Sequence, residues 1–143
     1  MHASMGNLTI VAGDLHFEAR LEVEAPRTTA AIRSLLPLRD RLIHVRWSGE
    51  GVWVPLEDWT ADCGFENHTS HPAPGQLLLY PGGYSVAEII LAYGPCSFSS
   101  KLGQLAGNHF ATIVEDEGWP ARLRELGRRC LWEGAQPLVV VET

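Results

Sequence analysis

Glu88 is the residue whose setting most demands an explanation. It stands in Val86-Ala87-Glu88-Ile89-Ile90-Leu91, an otherwise apolar run. A carboxylate there is rarely buried without a partner or a ligand. The structural alternative is an edge strand facing water, or an ion pair with Arg46. The second cluster is Gly107-Asn108-His109-Phe110. Glycine lets the backbone approach closely, Asn and His supply donors and acceptors, and Phe supplies an apolar wall, the mixture small-molecule pockets use. A capped turn with His109 bonded to backbone is the competing reading. Within hydrogen-bond reach, Glu88 and His109 make an acid/base pair, and they are the catalytic candidates. Arg46, in His44-Val45-Arg46-Trp47, offers a planar fork to an anionic group. Glu50, Tyr80, Ser85, Tyr93, Asn108 and Phe110 complete the ligand-binding candidates. Glu88 and Tyr93 are five positions apart, so a regular strand turns them to opposite faces.

Weaker signals surround these. Pro81-Gly82-Gly83-Tyr84-Ser85 offers a backbone anion nest, but a phosphate loop needs a following helix and a Lys, and a tight turn explains the run equally. His68 and His71 could share a metal with Glu66 or Cys63, yet loop spacing is a weak argument, and no metal is expected. No cofactor is expected either. Among Cys63, Cys96 and Cys130, only Cys96 lies where a catalytic thiol is conceivable.

The elements that must position these residues follow from pattern. Leu15, Phe17, Ala19, Leu21 and Val23 alternate with polar residues, a half-buried strand running to Val23. Asn7 to Val11 is the strand before it, turned at Ala12-Gly13-Asp14. Pro26 begins a short helix with Ala31, Ile32, Leu35 and Leu36 on its apolar stripe, stopped by Pro37. Leu42 to Trp47 and Val52 to Val54 read as strands joined by a turn at Ser48-Gly49-Glu50-Gly51. Leu77 to Tyr80 and Ala87 to Tyr93 are continuous apolar strands, the pattern expected when both faces are covered. Phe110 to Val114 and Pro137 to Glu142 are further strands. Trp119, Leu123, Leu126 and Cys130 or Leu131 mark a second helix with Pro120 at its start, which Gly127 ends or weakens. Glu57–Pro74 and Gly94–Gly107 are long loops of the kind that carry function, expected to border one mouth of the fold. Short strands, Gly/Pro turns and two helices indicate a β-barrel or sandwich.

Composition narrows the classes. The chain has 143 residues, the length of one domain, 1–143, with residues 1–6 expected to be disordered. Its net charge of −6 disfavours nucleic-acid binding. Arg122, Arg124, Arg128 and Arg129 are interleaved with Glu117, Glu125 and Glu133, a solvated helix face. No apolar run is long enough to span a membrane, and MHASMGNLTIVAG lacks a signal-peptide pattern. With an odd number of cysteines, this points to a reduced, cytoplasmic protein. The expected partners are a small-molecule ligand and further copies of the chain, with Trp53 to Trp59 as an interface core.

The blocks RWSGEGVW, PGQLLLYPGGYS, AEIILAYG, KLGQLAGNHFATI and LWEGAQ resemble those of a bacterial family of unknown function with a cyclophilin-like fold. The resemblance runs from about Leu15 to Glu142. It implies a mainly β protein, a closed barrel of about eight strands with two short helices, and no established reaction. The Phe-His-Arg, Phe-Met-x-Gln and Gly-Asp motifs of genuine prolyl isomerases do not occur, and Arg46 stands in a different setting, so the fold does not carry that activity over. The leading expectation is a small-molecule-binding barrel, extending to a metabolite-handling enzyme. A peptide- or protein-binding barrel without catalysis is the alternative, and weak prolyl isomerisation the third.

Overall fold

The protein was analysed as a computed structural model describing residues 6–143. The elements are β1 (Asn7–Ala12), β2 (Leu15–Leu21), α1 (Pro26–Leu35), β3 (Leu38–His44), β4 (Gly49–Pro55), β5 (His68–Thr69), β6 (Gln76–Tyr80), β7 (Glu88–Cys96), β8 (Ser99–Ser100), β9 (Gly103–Gln104), β10 (Gly107–Ile113), α2 (Trp119–Trp132) and β11 (Gln136–Glu142). The expected disordered start falls mostly on residues 1–5, outside the described residues. Gly6 O accepts a hydrogen bond from Leu21 N at 3.1 Å.

Eight strands close on themselves in the order β2-β1-β11-β3-β4-β7-β6-β10, and β10 pairs back onto β2. Every pairing is antiparallel. The chain is therefore mainly β, a closed barrel of eight strands with two helices, as its sequence implied. Period-two alternation fills the inside. Leu8, Ile10 and Ala12 of β1, Phe17, Ala19 and Leu21 of β2, and Ile89 and Leu91 of β7 join one apolar core. An eight-stranded barrel is just wide enough for side chains to fill it. What remains is an apolar void of about 30 Å³ bordered by Leu8, Ile10, Phe110 and Leu138. The inside of the barrel is a core, and that void is lined by apolar residues.

The helices pack against the barrel, α1 on β10 and α2 on β3, β7, β4 and β2. α1 has no side-chain cap of its own at Ala25. Glu66, from the long loop, serves instead: its Oε1 accepts from Thr28 N (2.6 Å) and Thr28 Oγ1 (2.9 Å), and its Oε2 from Arg27 Nε (3.1 Å). Burial pushes the Glu66 carboxyl up, but these hydrogen bonds and the Arg27 charge outweigh it and leave it below its ordinary value. α2 buries Leu123, Leu126 and Cys130 and runs unbroken through Gly127 to Trp132. Gly127 neither ends nor frays it: a Cβ there would stand 2.5 Å from Tyr93 Cε1, so the helix needs a residue without a side chain to pass the ring.

Several boundaries differ from the sequence reading. β2 stops at Leu21, and Val23 is 45% exposed. β3 begins at Leu38, directly after the cis Leu36–Pro37 bond, because β11 offers partners from Leu38 through Leu42. Gly49 and Glu50 belong to β4 rather than to a turn. Gly49 takes φ +103° beside Pro95 O, where a register shift against β7 demands glycine. β7 continues through Gly94 to Cys96, and β10 already begins at Gly107. Asn108 and His109 are thus strand residues, not a strand entrance.

Outside the barrel wall lies a second, smaller apolar cluster. Leu78 and Tyr80 of β6, Ile90 of β7 and the half-buried Trp53 of β4 face outward together. The segment Ser97–Leu105, carrying the β8–β9 hairpin, folds over them as a flap with Phe98 fully buried beneath it. Tyr80 and Phe98 meet edge to face, 6.1 Å between ring centroids. Ser48 fastens the flap. Its carbonyl accepts from Ser97 N (2.8 Å), and its hydroxyl accepts from Ser99 N (2.9 Å) and donates to Ser99 O (3.1 Å).

Candidate functional site

β7 begins with Glu88, paired with Tyr80 on β6 and with Pro55 on β4. Parity with Ile90 and Tyr80 turns its side chain to the outer face of the wall, at the edge of the flap. There it lines a small cavity of about 40 Å³ with Arg46, Trp53, Ser85, Ser99 and Ser100. The cavity opens into a wider cleft of about 290 Å³ walled by Arg46, Trp47, Ser85, Ser100, Lys101 and Leu102. Three candidates from the sequence, Arg46, Ser85 and Glu88, therefore come together between the barrel wall and its flap.

Their electrostatics are unusual. Glu88 is 7% exposed, and its carboxyl makes no hydrogen bond or ion pair among the described residues. Burial alone lifts it to about 8, so it carries a proton at neutral pH. The ion pair with Arg46 does not form, although both line the cavity. Trp53 lines the same cavity, while its Nε1 is fully buried, a donor without an acceptor. Arg46 stacks on the Trp47 ring (4.7 Å to its centroid), and neither Arg46 nor Lys101 has a carboxylate partner among the described residues. Two cations thus stand at the cleft, with the unpartnered Glu88 in the small cavity beside them. Tyr80 shapes the wall without entering it. Its hydroxyl accepts from Tyr84 N (2.9 Å) and Ser85 N (3.1 Å), holding the Pro81–Ser85 turn against the cavity. Those amides are consequently committed and form no anion nest.

The other candidates lie elsewhere. Asn108 is fully buried and saturated: Nδ2 donates to Gly64 O (2.8 Å) and Thr28 Oγ1 (3.0 Å), and Oδ1 accepts from Glu66 N (3.2 Å). It ties β10, the long loop and α1 together. Phe110 is in the barrel core. His109 Nε2 is 2.8 Å from Thr112 Oγ1, which donates to Glu22 Oε2. Burial lowers the imidazole, against an upward pull from Glu22. His109 does not contribute to the cavity of Glu88, and no acid/base pair forms between them. The extra residue at the β10 bulge, between His109 and Ala111, brings His109 and Thr112 onto one face. Tyr93 faces the opposite side from Glu88, toward α2. His44 Nδ1 lies 2.8 Å from Val45 O and its Nε2 2.7 Å from Tyr93 Oη. Nδ1–H therefore donates to the carbonyl and Nε2 accepts from the phenol. Burial, then Glu50, raises the Tyr93 phenol. Glu50 belongs to this second cluster and not to the cleft.

The two long loops do meet, through Phe98 N to Ser70 O (2.7 Å), and Asn67 Nδ2 donates to His109 O (2.9 Å). The second loop folds over the outer wall, while the first reaches α1 through Glu66 and the main core through Cys63. His68 stacks on Phe65, and no three His, Cys, Asp or Glu side chains among the described residues are placed to hold a metal ion. Burial raises the thiols of Cys96 and Cys130 to about 11, so both are poor nucleophiles. Trp53 and Trp59 are half-buried in the fold, and the segment between them presents no exposed aromatic face.

Sequence reasoning missed Trp53, Lys101 and the flap serines. Trp53 was expected in an interface core. Lys101 had a signal: it is the one lysine in the sequence, in Ser97-Phe98-Ser99-Ser100-Lys101. What no spacing could show is that this loop folds back over β4 and β7.

The chain belongs to the family described as "Protein of unknown function (DUF3830)", which it matches over residues 8–141. Its fold is similar to that of McbB, solved in complex with tryptophan: TM-score 0.74 and 19% identity, over 94% of this chain and 44% of McbB. The chain thus spans less than half of McbB's length, and at that identity the likeness is one of fold. No curated protein matches it. No helix among the described residues is long and apolar enough to cross a membrane.

Proposed function

We propose that this DUF3830 barrel binds a small anionic metabolite in the cleft between its outer wall and the Ser97–Leu105 flap. One observation carries the reading: the nearly buried Glu88, which makes no hydrogen bond or ion pair among the described residues, lines a small cavity with Arg46, and Lys101 lines the wider cleft beside it, neither cation being held in an ion pair. Unmade hydrogen bonds at buried groups are costly, and a ligand that makes them recovers that cost. Arg46 grips the ligand's negative group through its fork, Lys101 adds a second charge, and Trp47 and Leu102 cover its apolar part. A carboxyl protonated near neutral pH also suits proton transfer to a bound ligand, which is how the site would serve an enzyme. McbB, 44% of which shares this fold, was solved in complex with tryptophan, and a small-molecule ligand accords with that. The polar floor favours a metabolite over a peptide. The three free thiols fit a reducing compartment such as the cytoplasm.

The test is thermal unfolding across a library of carboxylates, amides and sugars. A ligand at a hundred times its Kd adds about 2.7 kcal/mol. Arg46→Ala, at an exposed position, should leave the unliganded stability unchanged and remove most of that gain. Arg46→Ala retaining the full gain would move the site elsewhere.

A further inference from the structure

In a chain of net charge −6, the wider cleft is walled by two cations and no carboxylate. Glu88 belongs to the adjoining cavity and does not wall the cleft itself. Elsewhere Arg20, Arg27, Arg33, Arg122, Arg128 and Arg129 all lie in ion pairs with carboxylates. Arg46 and Lys101 have no such partner among the described residues. They arrive from two turns far apart in the chain, Arg46 between β3 and β4 and Lys101 between β8 and β9. Each is followed by an exposed apolar residue that walls the same cleft: Trp47 is 45% exposed and Leu102 59%. The cleft thus presents a cation beside apolar surface twice, once from each turn. Two unpaired cations sharing one cleft repel each other, and a negative charge at each relieves that repulsion. A ligand with one charge satisfies one cation and leaves the other. A ligand with a charge at either end of an apolar chain meets both and lays the chain on Trp47 and Leu102.

We infer that the ligand of this cleft is an apolar dicarboxylate: one carboxylate lies in the fork of Arg46, the other at the Lys101 ammonium, and the hydrocarbon between them rests on Trp47 and Leu102. This rests on the reading of the cleft as the binding site and goes further, by fixing the number of charges on the ligand and what joins them. The two cations suit the task differently. Arg46 is held on the Trp47 ring, 4.7 Å from its centroid, and a guanidinium fork matches a carboxylate with two parallel hydrogen bonds. Lys101 is a point charge on a flexible stem, which adapts to the position of the second carboxylate. The cleft, at about 290 Å³, has room for a chain of several carbons.

The experiment is calorimetric titration of the intact chain, at neutral pH and low salt, with the dicarboxylates from succinate to suberate. Each is set against the monocarboxylate of the same chain length, adipate against hexanoate for example. Two further probes are galactarate, which is adipate with a hydroxyl on every middle carbon, and phenyl phosphate, which carries both charges on one group. The best diacid should bind at least about tenfold more tightly than its monoacid, the effect of one added charge-assisted hydrogen bond. Added sodium chloride should shrink that ratio. Lys101→Gln should bring the ratio close to one, and Lys101→Arg should keep it. Arg46→Ala should weaken diacid and monoacid alike. Arg46 and Lys101 are exposed, so these variants should keep the unfolding midpoint of wild type. Galactarate should bind more weakly than adipate, because its chain is no longer apolar. Monoacids equal to their diacids, a ratio untouched by Lys101→Gln, galactarate tighter than adipate, or phenyl phosphate the tightest of all would each overturn the assignment while leaving the anion site at Arg46 standing. If none of these anions bound, the reading of the cleft would fall as well.

Discussion

Replacing Glu88 by glutamine changes one atom and should change how stability depends on pH. The carboxyl is lifted from 4.5 to about 8 by burial alone. At about 1.4 kcal/mol per pKa unit, that gap corresponds to on the order of 5 kcal/mol, a ceiling that water entering the cavity would reduce. Because the folded-state value is the raised one, the folded chain holds this proton more tightly than the unfolded chain does. Stability must therefore fall as pH rises from about 4.5 to about 8, by up to about 1.4 kcal/mol per pH unit, and level off above that. His109 works in the opposite direction. Its folded value is lowered from 6.5, so it adds stability as pH rises toward the ordinary imidazole range. The difference between wild type and Glu88→Gln cancels it. Urea denaturation of both proteins from about pH 5 to about pH 9 should show the variant gaining on wild type by several kcal/mol across this window. Parallel curves, or a Glu88 side-chain carboxyl titrating near its ordinary value by carbon NMR, would refute the claim that the group is buried without a partner.

Gly127→Ala should destabilise the fold by about 1–3 kcal/mol despite the better helix former, because the new methyl meets the Tyr93 ring; in a Tyr93→Leu background the same change should cost little or nothing, both read by urea midpoints. Asn108→Ala should cost about 3 kcal/mol or more, since it strands Glu66 N and frees α1 from β10, and hydrogen exchange should locate the loosening in α1 and the Gly64–Asn67 loop. Prolyl isomerase assays on standard Xaa-Pro peptides should show little acceleration; a robust rate abolished by Arg46→Ala would contradict this. Light scattering at micromolar concentration should give the mass of a dimer or larger assembly, and a monomer mass would remove the expected self-association.

Period-two alternation in β1 and β2, the continuous apolar runs of β6 and β7, and two Pro-started helices were legible in the chain, because burial of one or both strand faces leaves its period in the sequence. The odd placement of a carboxylate at Glu88 was legible for the same reason: it breaks an apolar run. Register and closure were decided in three dimensions. β3 could be extended to Leu38 only by its partners on β11, and Gly127 could be understood only once Tyr93 lay across it. Asn108 and Glu88 looked alike as polar residues at strand ends. Tertiary contacts separated them, saturating Asn108 with hydrogen bonds and leaving Glu88 with none. Trp53 and Lys101 entered the site because the Ser97–Leu105 flap folds onto the outer wall, and contacts between residues so distant in sequence leave no periodic trace for a reader of the sequence to find.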